Sequence, residues 1–261
     1  MGEQLPLAGR AALVTGVSRR RGIGFAVASR LAAMGASLVI HHHSPHDMAE
    51  YGATDDVESL LDDLRAVQPG GSRVAGLPGD LTDPMTPAAL VEAARTELGH
   101  LDVLVCNQAH SGDVVSIRDA SAQAFDRHWA VNARATLLMT QAFATQHDGR
   151  PGGRVIWMTS GQHLGPMSDN LAYATSKAAL AGITVSVAAD LADSGILLNT
   201  INPGPVNTGY LDGATQEFLE AFPGGRAGQP DDPARLIAWL VSDDGEWVVG
   251  QVLNTEGGFR R

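Results

Sequence analysis

Tyr173-Ala174-Thr175-Ser176-Lys177 sets a phenol and an ammonium four residues apart. On a helix this spacing puts both on one face, about one turn apart. An ammonium beside a phenol stabilises the phenolate and lowers the tyrosine pKa from its usual value of about 10. A tyrosine acting as acid or base near neutral pH needs that help. Ser160 stands just after the apolar run Val155 to Met158, with only Thr159 between, and that run reads as a buried strand. Its hydroxyl therefore falls at the carboxyl edge of a sheet, where open α/β sheets bind their ligands. There it would hold a carbonyl oxygen while Tyr173 protonates it.

A second chemical signature lies near the start of the chain. The strand Ala11 to Val14 leads into Thr15-Gly16-Val17-Ser18-Arg19-Arg20-Arg21-Gly22-Ile23-Gly24, and apolar residues then recur at helical spacing (Ile23, Val27, Leu31, Met34). Glycines between a strand and a helix let backbone approach a pyrophosphate seated on the positive end of the helix dipole. Folds that prefer NAD place an acid about 20 residues further on, for the ribose hydroxyls. Here the second strand ends in His41-His42-His43-Ser44, without an acid. The guanidinium groups of Arg19, and secondly Arg20, suit a 2′-phosphate instead. NADP(H) is accordingly favoured over NAD(H). The histidine run is not read as a metal site, because successive side chains of a strand alternate faces; His42 is placed at the cofactor's edge.

The elements that must position these groups alternate. Strands are expected at Leu38 to Ile40, Val74 to Leu77, Leu101 to Val105, Leu197 to Ile201 and Val252-Leu253. Helices are expected over Val57 to Val67, after an Asp83-Pro84 cap, over Ala122 to Gln146 with a break near its start, over Ala172 to Asp193, and from Asp232-Pro233. This is an α/β pattern: a single-domain, Rossmann-like, doubly wound parallel sheet of about seven strands with helices on both faces. Residues 204–228, rich in Gly and Pro and weakly periodic, are expected to form a substrate lid.

Composition narrows the function classes. The chain has 261 residues and a formal net charge of −11, so it repels nucleic acid and anionic membranes. Its one cysteine, Cys106, excludes an intramolecular disulfide and a cysteine-based metal site. Neither a signal-peptide core nor a stretch of about 18 apolar residues is evident, and a soluble cytoplasmic protein is expected.

Taken together, these motifs resemble the short-chain dehydrogenase/reductase family over nearly the whole chain, most of all its 3-oxoacyl-carrier-protein reductase-like members. The resemblance identifies Gly16, Ser18, Gly22, Ile23 and Gly24 with the family's cofactor loop, and Asp80 and Leu81 with its adenine site. Ser160, Tyr173, Lys177 and Asn132 fall on the catalytic tetrad, and Pro203, Gly204, Val206 and Thr208 on the segment flanking the nicotinamide. It implies NADPH-dependent reduction of a carbonyl to an alcohol, with Tyr173 as proton donor, Lys177 on the tyrosine and the nicotinamide ribose, and Asn132 positioning a water. The alternatives are an NAD-linked alcohol or polyol dehydrogenase and a non-catalytic nucleotide-binding homologue. His110, Gln162, His163, Met167 and Tyr210 are expected to border a small carbonyl or alcohol substrate, with Phe218 and Phe222 in the lid. A homodimer or homotetramer is implied. Two departures stand out: the glycine loop is longer by two residues, and Cys106-Asn107-Gln108-Ala109 replaces Asn-Asn-Ala-Gly, keeping Asn107 as the one cofactor match. Asp190 and Asp193 make an acidic carrier protein a poor partner through like-charge repulsion.

Overall fold

Short, continuous apolar runs become strands buried on both faces, and the amphipathic stretches between them become the helices that cover those faces. The structure, a computed structural model, describes residues 5–113 and 115–261. In chain order the elements are β1 (Ala11–Val14), α1 (Ile23–Ala33), β2 (Ser37–His42), α2 (Ser44–Tyr51), α3 (Val57–Val67), β3 (Val74–Pro78), α4 (Thr86–Leu98), β4 (Val103–Cys106) and α5 (Ala122–His128). They continue with a π-helical turn (Trp129–Arg134), α6 (Ala135–Gln146), β5 (Gly153–Met158), α7 (Leu171–Ala192), β6 (Ile196–Asn202), α8 (Gln216–Glu220), α9 (Asp231–Val241) and β7 (Val252–Asn254). The seven strands form one sheet in the order β3-β2-β1-β4-β5-β6-β7, and every pairing is parallel.

Alternation along the strands divides the core in two. Ala12 and Val14 of β1 pack with Val27 and Leu31 of α1, Leu61 and Leu64 of α3, and Ile237 and Leu240 of α9. Ala11 and Leu13 face the other way, with Leu90 and Ala94 of α4, Met139 and Phe143 of α6, and Leu180 and Leu191 of α7. The strand order reverses between β1 and β4, so the crossovers leave to opposite faces there and a crevice opens at the carboxyl edge.

Four local expectations are corrected. Helix α4 begins at Thr86, with Pro87 in its first turn, while Asp83 Oδ1 accepts the Met85 N–H in the preceding turn. Helix α9 begins at Asp231, one residue early, because Pro233 is also accommodated in a first turn. Helix α2 was not anticipated; eight polar-rich residues with no buried member carry no apolar periodicity. Finally, α7 is long and apolar enough by composition to cross a membrane. It lies instead against the sheet, burying Lys177 and Leu180 and joining Thr184 to Thr200 of β6 at 2.7 Å.

Candidate active site

The crevice at the switch point is a cleft of about 940 Å³, at the upper end of the range for small-molecule sites. Gly16, Ser18, Arg19, Gly22 and Ile23 line its floor. Helix α1 opens here with no acidic residue in its first turn, so its positive end faces the cleft uncompensated. Gly24, expected to contact cofactor, lies beneath that surface. A Cβ on Gly24 would stand 2.6 Å from Gly16 O and 2.7 Å from Asn107 Nδ2; its bareness packs the loop onto the end of β4. Asn107 lines the cleft and donates through Nδ2 to Thr15 O at 3.0 Å and Gly16 O at 3.2 Å.

His41 completes this floor from below, a role not anticipated from the sequence. Its Nε2 donates to Gly79 O at 3.0 Å and its Nδ1 faces the Gly16 N–H at 3.4 Å. Burial pushes its pKa down to about 4, so the ring is a neutral bracket between the glycine loop and β3. Asp80 and Leu81 line the cleft as expected. Burial works against the Asp80 charge, yet hydrogen bonds from the Thr82 N–H and hydroxyl hold its pKa below the usual carboxylate value. His42 is corrected: it lines a separate small recess with His43, Pro78 and Asp80.

The opposite wall belongs to β5 and α7. Met158, Thr159, Ser160, Tyr173 and Lys177 face the cleft together, with Pro203, Gly204, Val206 and Thr208 beside them. Thr159 Oγ1 donates to the Lys177 carbonyl at 2.8 Å, and Lys177 Nζ donates to the Met158 carbonyl at 3.0 Å. The strand end and the helix are thus locked to each other beside the cleft. Burial pushes the Lys177 pKa down to about 8 and raises that of its neighbour Cys106. The Tyr173 phenol is pushed up to about 12, chiefly by burial, against a hydrogen bond from Ser160 that acts in the opposite direction. The expectation that Lys177 lowers the tyrosine is therefore corrected: Nζ stands 5.6 Å from the ring centroid and turns to the Met158 carbonyl.

The chain is similar to known proteins over nearly its whole length. A family model described as enoyl-(acyl carrier protein) reductase matches residues 16–260. The Bacillus subtilis (strain 168) protein named uncharacterized oxidoreductase YjdA is 36% identical over 255 residues, 96% of either chain. An Arabidopsis thaliana NADPH-dependent aldehyde reductase-like protein, chloroplastic, is 34% identical over 265 residues, 98% of this chain and 96% of that one. A solved short chain dehydrogenase from Burkholderia cenocepacia J2315, in complex with NADP, matches with TM-score 0.84 and 32% identity over 97% of this chain and 98% of its own. The chain belongs to the short-chain dehydrogenase/reductase family. It is an oxidoreductase.

Against that family pattern, Asn132 sits fully buried in the π-helical turn, and such turns often mark functional sites. Its Oδ1 accepts the His110 N–H at 2.7 Å; its Nδ2 donates to His110 O at 3.1 Å and Ser176 Oγ at 2.9 Å. Asn132 thus fixes the segment after β4 against α7. Gln108, where the family has alanine, takes Thr15, Thr136 and the Val131 carbonyl into the same buried network.

The arginine triplet is redistributed. Arg19 lines the cleft, donating to Asp47 at 2.9 Å and Thr208 O at 2.9 Å, with Tyr51 stacked on its guanidinium. Arg20 is corrected: it turns to Asp55, Ser59 and Asp63 on and before α3, outside the cleft lining. Arg21 pairs with both oxygens of Asp212 in the 204–228 segment.

Among the substrate candidates, His110, Met167 and Tyr210 line the cleft. Gln162 does not; its Nε2 turns to Thr159 Oγ1. His163 is exposed on the outside of its loop, near Glu256. Phe218 and Phe222 stack with Phe259 rather than lining the cleft, and the base of their segment is closed by a Val206–Gly228 bridge. The sequence reading missed His46, Glu50 and Tyr51 of α2, and Asn170, whose buried Oδ1 makes no hydrogen bond among the described residues. The His46-x-x-x-Glu50 spacing was the one local signal available for them.

Proposed function

We propose that this chain is an NADPH-dependent carbonyl reductase, converting a ketone or aldehyde to an alcohol. The observation that carries this reading is the convergence of Ser160, Tyr173 and Lys177 on one wall of the cleft, facing the floor built at the amino end of α1. The floor fits a dinucleotide: bare glycines, an uncompensated helix terminus, and Asp80 and Leu81 at the far end. A nicotinamide nucleotide bound on this floor would supply the hydride for the carbonyl carbon. Tyr173, with a pKa near 12, is a neutral phenol at physiological pH, which is the form a proton donor needs. It gives its Oη proton to the oxygen as negative charge develops there. Ser160 holds that oxygen with its hydroxyl. Lys177, largely ammonium below its pKa of about 8, stands by the phenolate left behind. Asn132 acts on this chemistry by fixing His110 and Ser176.

Preference for NADPH is supported by the NADP-bound relative, by the name of the plant relative, and by the guanidinium of Arg19 at the cleft surface. One observation favours the NAD-linked dehydrogenase as a second reading: Asp47 already neutralises Arg19, and Asp55 and Asp63 occupy Arg20. Fluorescence titration with NADPH and NADH separates the two. At least tenfold tighter NADPH binding, weakened by Arg19→Ala, is expected; equal or tighter NADH binding transfers the assignment to the dehydrogenase. Self-association is part of the proposal, supported by the exposed apolar side chains Trp129 in the π-helical turn and Val185 on α7.

A further inference from the structure

Helix α2 and the segment after β4 bring His46, Glu50 and His110 together at the cleft surface, with one donor atom from each within 4.8 Å of the others. His46 and Glu50 are four apart on α2, so helix geometry stacks them on one face. His110 comes from a different element and is held in place, since Asn132 grips its N–H and its carbonyl at once. Gly112 permits the approach: a Cβ there would stand 2.4 Å from Glu50 Oε1. Asp113 lies 3.3 Å from His110 Nε2, a carboxylate–imidazole contact of the kind that backs metal-bound histidines.

The surrounding charges leave Glu50 available. Asp47 is taken by Arg19 and Asp113 by Arg127, whereas Glu50 makes no ion pair with Lys or Arg among the described residues.

We propose that His46, Glu50 and His110 form a binding site for a divalent transition-metal cation of the zinc class on the substrate side of the cleft. Two imidazoles and one carboxylate are a donor set that suits Zn²⁺ and is poor for Mg²⁺, which prefers oxygen. The His41-His42-His43 run takes no part. The rings of His46, His110, His128 and Tyr173 follow one another with centroid separations of 5.5, 4.6 and 6.3 Å. The cation therefore stands at the far end of a row of rings from the phenol. There it holds a carboxylate of the substrate while Tyr173 meets the carbonyl, supplying positive charge at a place where the nearby arginines Arg19 and Arg127 are already paired with Asp47 and Asp113. This substrate role rests on the carbonyl-reductase reading; metal binding does not.

Calorimetric titration of the full chain with ZnCl₂ alone tests the site, with MgCl₂ as the comparison cation. One equivalent of Zn²⁺ is expected, weakened at least tenfold by His46→Ala and by Glu50→Gln, and unchanged by His163→Ala on the exposed loop. Failure of the wild-type chain to bind Zn²⁺, or unchanged affinity in both site variants, overturns the proposal. If a variant is unfolded, X-ray absorption of the zinc-loaded wild type replaces it, and a first shell lacking imidazole overturns the site. With Zn²⁺ bound, a keto acid should show at least tenfold lower KM than its ester in the wild type, and Glu50→Gln should lose the difference. Equal KM values for acid and ester overturn the substrate role. The titration needs no turnover, so its failure is distinguishable from failure of the reductase reading.

Discussion

The two sides of the cleft are built differently. On the β5–α7 wall, main-chain atoms and buried side chains do the holding: Thr159 on the Lys177 carbonyl, Lys177 on the Met158 carbonyl, and Trp157 Nε1 on Thr140. On the rim, α2 and α8 contain no buried residue at all. Their segments are held by ion pairs, Arg19 with Asp47 and Arg21 with Asp212, the latter more than half exposed. Buried hydrogen bonds are costly to break because the freed partner stays unsatisfied, whereas exposed ion pairs contribute little and weaken with salt. The wall is therefore suited to hold reacting groups in register. The rim is suited to open for nucleotide and substrate.

The sharpest way to break this contrast is Tyr173→Phe. It should lower kcat by roughly 10²–10⁴-fold and leave NADPH affinity within about twofold, read by steady-state kinetics and fluorescence titration. Near wild-type turnover would remove Tyr173 from the chemistry and with it the special status of the wall.

The floor can be tested through pH. The folded-state pKa of His41, about 4, lies below the usual histidine value of 6.5. Its contribution to stability is therefore complete above pH 6.5 and is lost as pH falls towards 4. Urea unfolding should show a loss of about 3 kcal/mol across that window, reduced in His41→Gln. An equally steep profile in the variant would assign the acid sensitivity to other groups, of which His46 and His128, also lowered by burial, are the first to examine.

Gly24→Ala inserts a methyl where 2.6 Å separates its Cβ from Gly16 O. Overpacking of this kind costs about 1–3 kcal/mol, and nucleotide affinity should fall with it, since the glycine loop must shift. Unchanged stability and affinity would mean the floor yields as readily as the rim. The smallest effect is expected at the rim itself. Arg21→Ala should leave the unfolding midpoint unchanged and alter KM by about twofold, with the difference vanishing at high salt. A large loss of stability there would erase the distinction between the two sides.

The legible parts of the sequence were those with a short-range period. Apolar runs and helical spacing located all seven strands and most helices, although α2 escaped because a fully solvated helix has no apolar stripe. The Tyr173–Lys177 spacing, Ser160 at a strand end and the glycine cluster were likewise readable, because one helical turn or one strand end sets the geometry. The arginine triplet shows where this stops. Three adjacent guanidiniums looked alike in sequence, yet each is committed to a different element.

Local spacing thus determined the sheet, its helices and the placing of Ser160, Tyr173 and Lys177 on one wall, because main-chain geometry relates neighbours in sequence. The tertiary structure alone decided that Arg19 meets Asp47 28 positions away and Thr208 189 positions away, and that Arg21 meets Asp212 at 191. It alone turned Lys177 to a strand carbonyl and left the Tyr173 phenol governed by burial. Such pairings depend on which crossovers bring distant segments to the same edge of the sheet, and no periodicity in the chain encodes them.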